Sequence, residues 1–223
     1  MSKFVSSNKY FLICSFLFFL LGGVILSQIE KPDAIFFFSE RRSTFSDLFF
    51  SFFTKVGEEF SYLIFFIAFL FVKIRYAMLI PLTGIVVAIF SNILKTYFKH
   101  DRPLMFLENI GLDAQINFVE GIELYTGQTS FPSGHTMSSF ALYGMIAFII
   151  SRKKIWGVLL FLIALLVGLS RIYLVQHFFQ DVYLGAMLGV LIAIAVYLLQ
   201  GKLQLDEHHW MNQSLWGKKR IRA

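Results

Sequence analysis

Six apolar runs, each close to the length of a bilayer crossing, decide what this chain can become. They lie at about 10–28, 57–73, 77–94, 134–151, 155–173 and 181–199. A helix needs roughly 20 mostly apolar residues to cross a hydrocarbon core, where every backbone polar group must be paired internally. Only 15% of the 223 residues are charged and 57% are hydrophobic, whereas a soluble domain is about a quarter charged. The expected fold is all-α: an integral membrane bundle of six transmembrane helices in a single domain over residues 1–223. The core covers about 10–199 and a tail covers 200–223. The second run is the weakest. Its clean stretch, Phe60 to Val72, is short, which places Glu58 and Glu59 at the interface. The first run follows Lys3 and Lys9 and imitates a signal peptide, but no small-residue cleavage site follows it, so it reads as an uncleaved span. The single Cys14 lies in that run as a packing or lipid-facing residue, so no intrachain disulfide can form.

Lysine and arginine set the orientation. With both tails on one side, that side holds Lys3, Lys9, Lys73, Arg75, Arg152, Lys153, Lys154, Lys202, Lys218, Lys219, Arg220 and Arg222. The other side holds Lys31, Arg41, Arg42, Lys55, Lys95, Lys99, Arg102 and Arg171. The richer side is expected to be cytoplasmic, with both termini there. The formal charge of +6 does not imply a nucleic-acid partner, because the basic residues gather at span ends as anchors do. Between the first two spans, Ala34 to Glu40 and Phe45 to Phe53 place apolar residues at helical spacing. A helix lying in the interface plane is expected there. It serves as an anchor or as a rim for a lipid.

Three short polar clusters then fall at span ends on the external side. Lys95, Arg102 and Pro103 form the first. Pro132, Ser133, Gly134 and His135 form the second. Ser170, Arg171, His177 and Asp181 form the third. An ionisable group at a span terminus is costly unless it is paired or wet. His177 precedes Asp181 by four residues, so the two share a helix face. A carboxylate on one imidazole nitrogen leaves the other basic and outward, which makes a nucleophile of histidine. Arg102 and Arg171 offer forked guanidiniums that suit two phosphate oxygens, and Lys95 adds a point charge. Pro103 biases Arg102 away from helical backbone and so restricts where it points. Ser133 can cap the fourth span or donate to an oxygen, Gly134 permits close backbone approach, and His135 can protonate a leaving group. Phosphoryl transfer asks for this combination, because it depends mainly on positioning and on cations around three equatorial oxygens.

Other residues read as secondary. Lys99 and His100 are exposed loop positions. Tyr97, Tyr173 and Gln176 shape the pocket or support Arg171, and Asn92 bonds within the bundle. His208 and His209 lie in the tail, on the wrong side for this site. Glu108, Asp113, Glu120 and Glu123 populate the 104–131 loop, where they repel or steer the head group or are simply solvated. No H-E-x-x-H and no acidic cluster with metal spacing occurs, so metal-independent hydrolysis without a cofactor is expected.

The patterns K-x6-R-P over 95–103, P-S-G-H over 132–135 and S-R-x5-H-x3-D over 170–181 resemble the three signature motifs of the phosphatidic acid phosphatase type 2 superfamily. Its members include membrane lipid phosphatases, glucose-6-phosphatase and vanadium haloperoxidases. All three match in order without a departure, and the span layout extends the resemblance over roughly residues 10–200. The resemblance implies that His177 attacks phosphorus to form a phosphohistidine, with Asp181 orienting it. It implies that His135 acts as general acid and that Lys95, Arg102, Ser133, Gly134 and Arg171 hold the phosphate. It further implies a lipid phosphate or diphosphate substrate amid membrane lipids: undecaprenyl diphosphate, phosphatidylglycerophosphate or phosphatidate first, lipid A next. The expected place is a bacterial inner membrane with the site on its external, periplasmic face. A vanadate-dependent haloperoxidase and a non-enzymatic lipid-binding or flipping protein are the rival classes. The first is disfavoured because those proteins are soluble, the second by the intact His135, His177 and Asp181.

Overall fold

The computed structural model of this chain describes residues 2–57, 59–150, 153–203 and 209–216. Glu58, Arg152, His208, Lys218, Lys219, Arg220 and Arg222, to which the sequence pattern gives positions, lie outside the described residues, as do 204–208 and 217–223 of the tail. In chain order the helices are α1 (Ser2–Leu26), α2 (Asp33–Ser39), α3 (Thr44–Val56), α4 (Glu59–Leu70), α5 (Ile74–Phe98), α6 (Pro103–Asn109), α7 (Gly134–Ile149), α8 (Lys153–Tyr173) and α9 (Phe179–Gly201). No strand occurs among the described residues. The protein is an all-helical integral membrane protein.

Six of these helices correspond to the six apolar runs. Four of them, α1, α5, α8 and α9, are long and apolar enough to cross a membrane by themselves. The other two are shorter than the runs suggest. α4 has 12 residues and α7 has 16, which at 1.5 Å per residue is about 18 and 24 Å against a core of about 30 Å. α4 is cut short because the turn at Phe71 and Val72 breaks it before α5. α7 starts at Gly134, as its run does, and ends where Ile150 becomes extended (ψ 152°). α1 departs the other way and begins well before residue 10.

α7 is the axis of the bundle. From Met137 to Phe148 every residue except Ser138 is buried, packed between α8, α9, α5 and α1. Two glycines on α9 set its closest approach. A Cβ at Gly185 would lie 2.7 Å from Ser133 O, and one at Gly189 would lie 2.5 Å from Met137 O. Small residues four apart let two membrane helices bring their backbones together. The start of α9 is thereby held against the start of α7, and Ser133 N–H donates to Asp181 O at 3.0 Å. On the outside, Phe16, Leu20 and Leu21 of α1 and Ile85, Ile89 and Ile93 of α5 are exposed. Such a surface suits hydrocarbon rather than water.

The first loop forms two helices rather than the one expected. Glu40 to Ser43 break the run, and Ser43 starts α3 through a capping box with Ser46. α3 has two distinct faces. Ser46, Phe50 and Thr54, four residues apart, face α8. Tyr173 O–H donates to Ser46 Oγ at 2.8 Å, Phe50 stacks on Tyr173 at 4.4 Å, and Arg171 Nη1 donates to Thr54 Oγ1. Phe45, Leu48 and Phe52 on another face are 77%, 69% and 62% exposed. Arg42 ties this helix to the 104–131 loop through paired bonds to Asp47 (3.0 and 2.9 Å) and one to Asn117 O (2.6 Å).

Candidate active site

Each polar cluster sits where a helix begins or ends, and the bundle brings those ends together. Lys95 lies in the last turn of α5, closed by Lys99 in a left-handed conformation (φ 48°). Arg102 is the N-cap of α6. Its extended backbone (φ −66°, ψ 153°), imposed by Pro103 in the first helical turn, is the conformation expected before proline. Ser133 caps α7, its Oγ accepting from Thr136 Oγ1 at 2.9 Å, and Gly134 and His135 are the first two helical residues. Arg171 lies in the last turn of α8, and Asp181 in the first turn of α9.

His177 stands in the connection between α8 and α9. The Arg171 carbonyl shapes that connection by accepting from the N–H groups of Gln176 (2.9 Å) and His177 (3.1 Å). Val175 is held there at φ 55°. For a β-branched residue that left-handed conformation costs roughly 1–2 kcal/mol. Strain of this kind is found where a neighbouring side chain must be aimed. Here the aimed group is His177, whose Nδ1 lies 3.5 Å from Asp181 Oδ2. Asp181 Oδ2 also accepts from Phe178 N–H at 2.9 Å and Ser130 O–H at 2.6 Å.

The cations surround this pair. Lys95 interacts electrostatically with Arg102, Arg171 and Asp181, and His135 with Arg171, His177, Lys95 and Arg102. Gly134 lies beneath the lysine, so that a Cβ there would sit 3.5 Å from Lys95 Nζ and 3.1 Å from Ser91 Oγ. Arg102 is buried. Its Nη1 donates to Gln176 O at 3.2 Å and its Nε to Thr129 Oγ1 at 3.3 Å, and Tyr125 covers its guanidinium at 5.4 Å. All eight residues singled out from the sequence therefore gather in one cluster at the helix ends: Lys95, Arg102, Ser133, Gly134, His135, Arg171, His177 and Asp181.

Several secondary expectations fail. Tyr97 is 79% exposed and turned away from the pocket, and Asn92 is exposed rather than bonded into the bundle through its side chain. His100 is half-buried, not exposed: its ring lies 4.8 Å from Phe131 and its carbonyl accepts from Ser130 N–H at 3.0 Å. Tyr173 grips α3 instead of lining the pocket. Three hydroxyls join the cluster without a sequence pattern to mark them: Ser130 against Asp181, Thr129 against Arg102 and Thr54 against Arg171. None lies at a helical spacing from the group it serves, so no periodicity marks them. Only Ser130 and Thr129 carry any signal, their closeness to Pro132.

Burial pushes the His177 imidazole down to about 4, and Asp181 opposes that shift without reversing it. The side chain is therefore neutral, with a lone pair available, at pH 7. A histidine whose folded pKa lies below its unfolded value of about 6.5 makes the folded state lose stability as pH falls through that window. The melting temperature of the wild-type protein in detergent is expected to fall relative to that of His177→Ala between about pH 6.5 and 4. A constant difference between the two across that range would contradict a neutral, buried His177.

An apolar groove of about 460 Å³ reaches the same place from the side of the bundle. It is lined by Tyr62 of α4, by Pro81, Gly84, Ala88 and Ser91 of α5, and by Gly134 and Ser138 of α7. Gly134, one of its lining residues, lies close enough to Lys95 that a Cβ there would sit 3.5 Å from the ammonium.

Comparison with known proteins bears on this pocket. The sequence profile described as the PAP2 superfamily matches residues 73–205, more than half of the chain and all three clusters. Phosphatidylglycerophosphatase B of Bacillus subtilis (strain 168) is 35% identical over 119 residues, covering 45% of this chain and 59% of that protein. The match thus spans less than two thirds of that relative. The crystal structure of Aquifex aeolicus LpxE superposes with a TM-score of 0.66 at 25% identity, over 77% of this chain and 97% of the other. The crystal structure of the transmembrane PAP2-type phosphatidylglycerolphosphate phosphatase from Bacillus subtilis superposes with a TM-score of 0.61 at 24% identity, over 86% and 96%. This last likeness speaks for the fold.

Proposed function

The chain belongs to the PAP2 superfamily, and from that premise we propose that it hydrolyses the phosphate or diphosphate of a membrane lipid through a phosphohistidine on His177. The observation that carries this reading is the His177–Asp181 pair, buried among Lys95, Arg102 and Arg171. The Nε2 lone pair of His177 attacks phosphorus, and an N–P bond forms as the P–O bond to the leaving group breaks. His135 gives its proton to the leaving oxygen. A water molecule then loses a proton to His135 and attacks the phosphohistidine. The N–P bond breaks and inorganic phosphate departs, which restores both histidines. Lys95, Arg102 and Arg171 meet the charge on the three equatorial oxygens. Ser133 and the first N–H groups of α7, at Gly134 and His135, add donors and a positive helix end. None of these steps calls for a metal ion.

A lipid substrate is supported by the mostly apolar groove that Gly134 helps to line, a place for an acyl tail while the phosphate meets the cations. The preferred lipids are undecaprenyl diphosphate, phosphatidylglycerophosphate and phosphatidate, with lipid A next. The test is phosphate release by the purified full chain from each of these four in detergent micelles. Turnover of at least one, blocked by orthovanadate and unchanged by EDTA, is expected. No release from any of them would reject the hydrolase reading, and loss in EDTA restored by a divalent ion would reject the metal-free mechanism.

The same proposal takes the protein as one domain with six spans, the shorter α4 and α7 included, and places α3 in the interface with Phe45, Leu48 and Phe52 toward lipid. Both termini are cytoplasmic and the pocket faces outward, as the lysine and arginine distribution favours. In a Cys14→Ser background, Lys99→Cys should react with a membrane-impermeant maleimide in intact cells, and Lys154→Cys only after lysis. The reverse pattern would invert the orientation.

A further inference from the structure

We propose that Ser130 is a positioning residue of the hydrolysis, fixing the tautomer of His177 through a three-way contact with Asp181. The proposal rests on the reading of His177 as nucleophile. Ser130 is fully buried. Its Oγ lies 2.6 Å from Asp181 Oδ2 and 3.5 Å from His177 Nδ1, while Nδ1 and Oδ2 are themselves 3.5 Å apart. The carboxylate can only accept, so the one hydroxyl proton of Ser130 is committed to it. What Ser130 then presents to His177 is a lone pair.

Nδ1 therefore faces two acceptors, the serine oxygen and the carboxylate, and no donor in this triangle. It must carry the imidazole proton, shared between them, and the lone pair falls on Nε2. At 3.5 Å the carboxylate alone grips the ring weakly. The serine supplies a second acceptor at the same distance and also holds the first one still. Asp181 needs that help, because its Oδ1 is buried without a hydrogen-bond partner among the described residues. Ser130 is in turn set by its backbone. Its N–H donates to His100 O at 3.0 Å, and the adjoining Phe131 packs on His100 and Phe98 at 4.8 and 5.0 Å. The segment carrying Lys95 and Arg102 thus also places the hydroxyl that orients the histidine.

The test uses the full-length enzyme in detergent with dioleoyl phosphatidate, together with 15N-histidine NMR, which reads the tautomer without any substrate. In the wild type His177 should be the Nδ1–H form. Ser130→Ala should convert it to a mixture and lower kcat by about 10–100-fold, the usual loss when an outer partner of an oriented histidine is removed, with KM within a few-fold. Ser130→Thr, which keeps the hydroxyl, should recover most of the rate. Ser130→Cys, which keeps the volume but donates weakly, should fall between. An Nε2–H tautomer in the wild type would overturn the proposal. So would a cysteine variant as active as the threonine one, or an alanine variant with kcat near wild type while His177→Ala is inactive. Activity surviving in His177→Ala would instead remove the nucleophile assignment on which the proposal stands.

Discussion

Replacing His177 with alanine should abolish turnover, with a loss on the order of 10⁴-fold or more, and leave a protein that still elutes as a single folded species in detergent. The loss is large because no nearby group can take over. His135 stands on the helix start that faces the leaving group in the proposed mechanism, and the remaining pocket residues are cations, hydroxyls and one carboxylate. The fold should survive because His177 sits in a connection, not in the α7–α9 contact that Gly185 and Gly189 set. The measurement is single-turnover phosphate release beside size-exclusion chromatography. A variant that keeps near wild-type activity would place the nucleophile elsewhere.

The second large effect is expected from Arg171→Lys, which keeps the charge and discards the fork. A lysine ammonium is a point charge on a flexible stem and cannot span two phosphate oxygens while holding Thr54. Losing one donor aimed at developing transition-state charge typically costs about 10²–10³ in rate, and kcat/KM should fall by that order. The accompanying Thr54→Val should lower it much less, because it leaves the guanidinium in place and removes only its tether. If Arg171→Lys were within a few-fold of wild type, net charge rather than geometry would govern phosphate binding at this position.

How far the pocket could be read from the chain follows from what kind of signal each residue leaves. His177 and Asp181 are four apart, Lys95 and Arg102 flank a helix end before a proline, and Ser133 to His135 open a helix after a proline. For the last two, local backbone rules fix where the side chain goes, whereas His177 stands in the connection before α9 and not on a helical face shared with Asp181, so the spacing marks that pair without giving its geometry. Ser130, Thr129 and Thr54 obey no such rule. Their partners are 51, 27 and 117 positions away, and only the packing of helix ends brings them near. The spans were legible for the same reason the secondary residues were not. Apolar length marks a helix, but it does not say which of its faces meets protein. The apolar pattern thus suggests Tyr97 and Asn92 inward although both are exposed, and His100 in solvent although it lies against Phe131. The break between α2 and α3 had a visible sign in Ser43 and Ser46, a capping pair of two serines instead of the usual serine and glutamate.

The bond from Thr54 to Arg171 has a practical meaning for anyone cutting or recombining such chains. The segment that matches the superfamily starts at residue 73, yet the hydroxyl that Arg171 Nη1 holds comes from α3, upstream of that start. A chimaera that transplants 73–205 behind a foreign first loop would carry every signature residue and still replace the scaffold of Arg171. The smallest transferable unit of this protein is therefore larger than its recognisable one, and it includes the amphipathic helix that rides along the flank of α8.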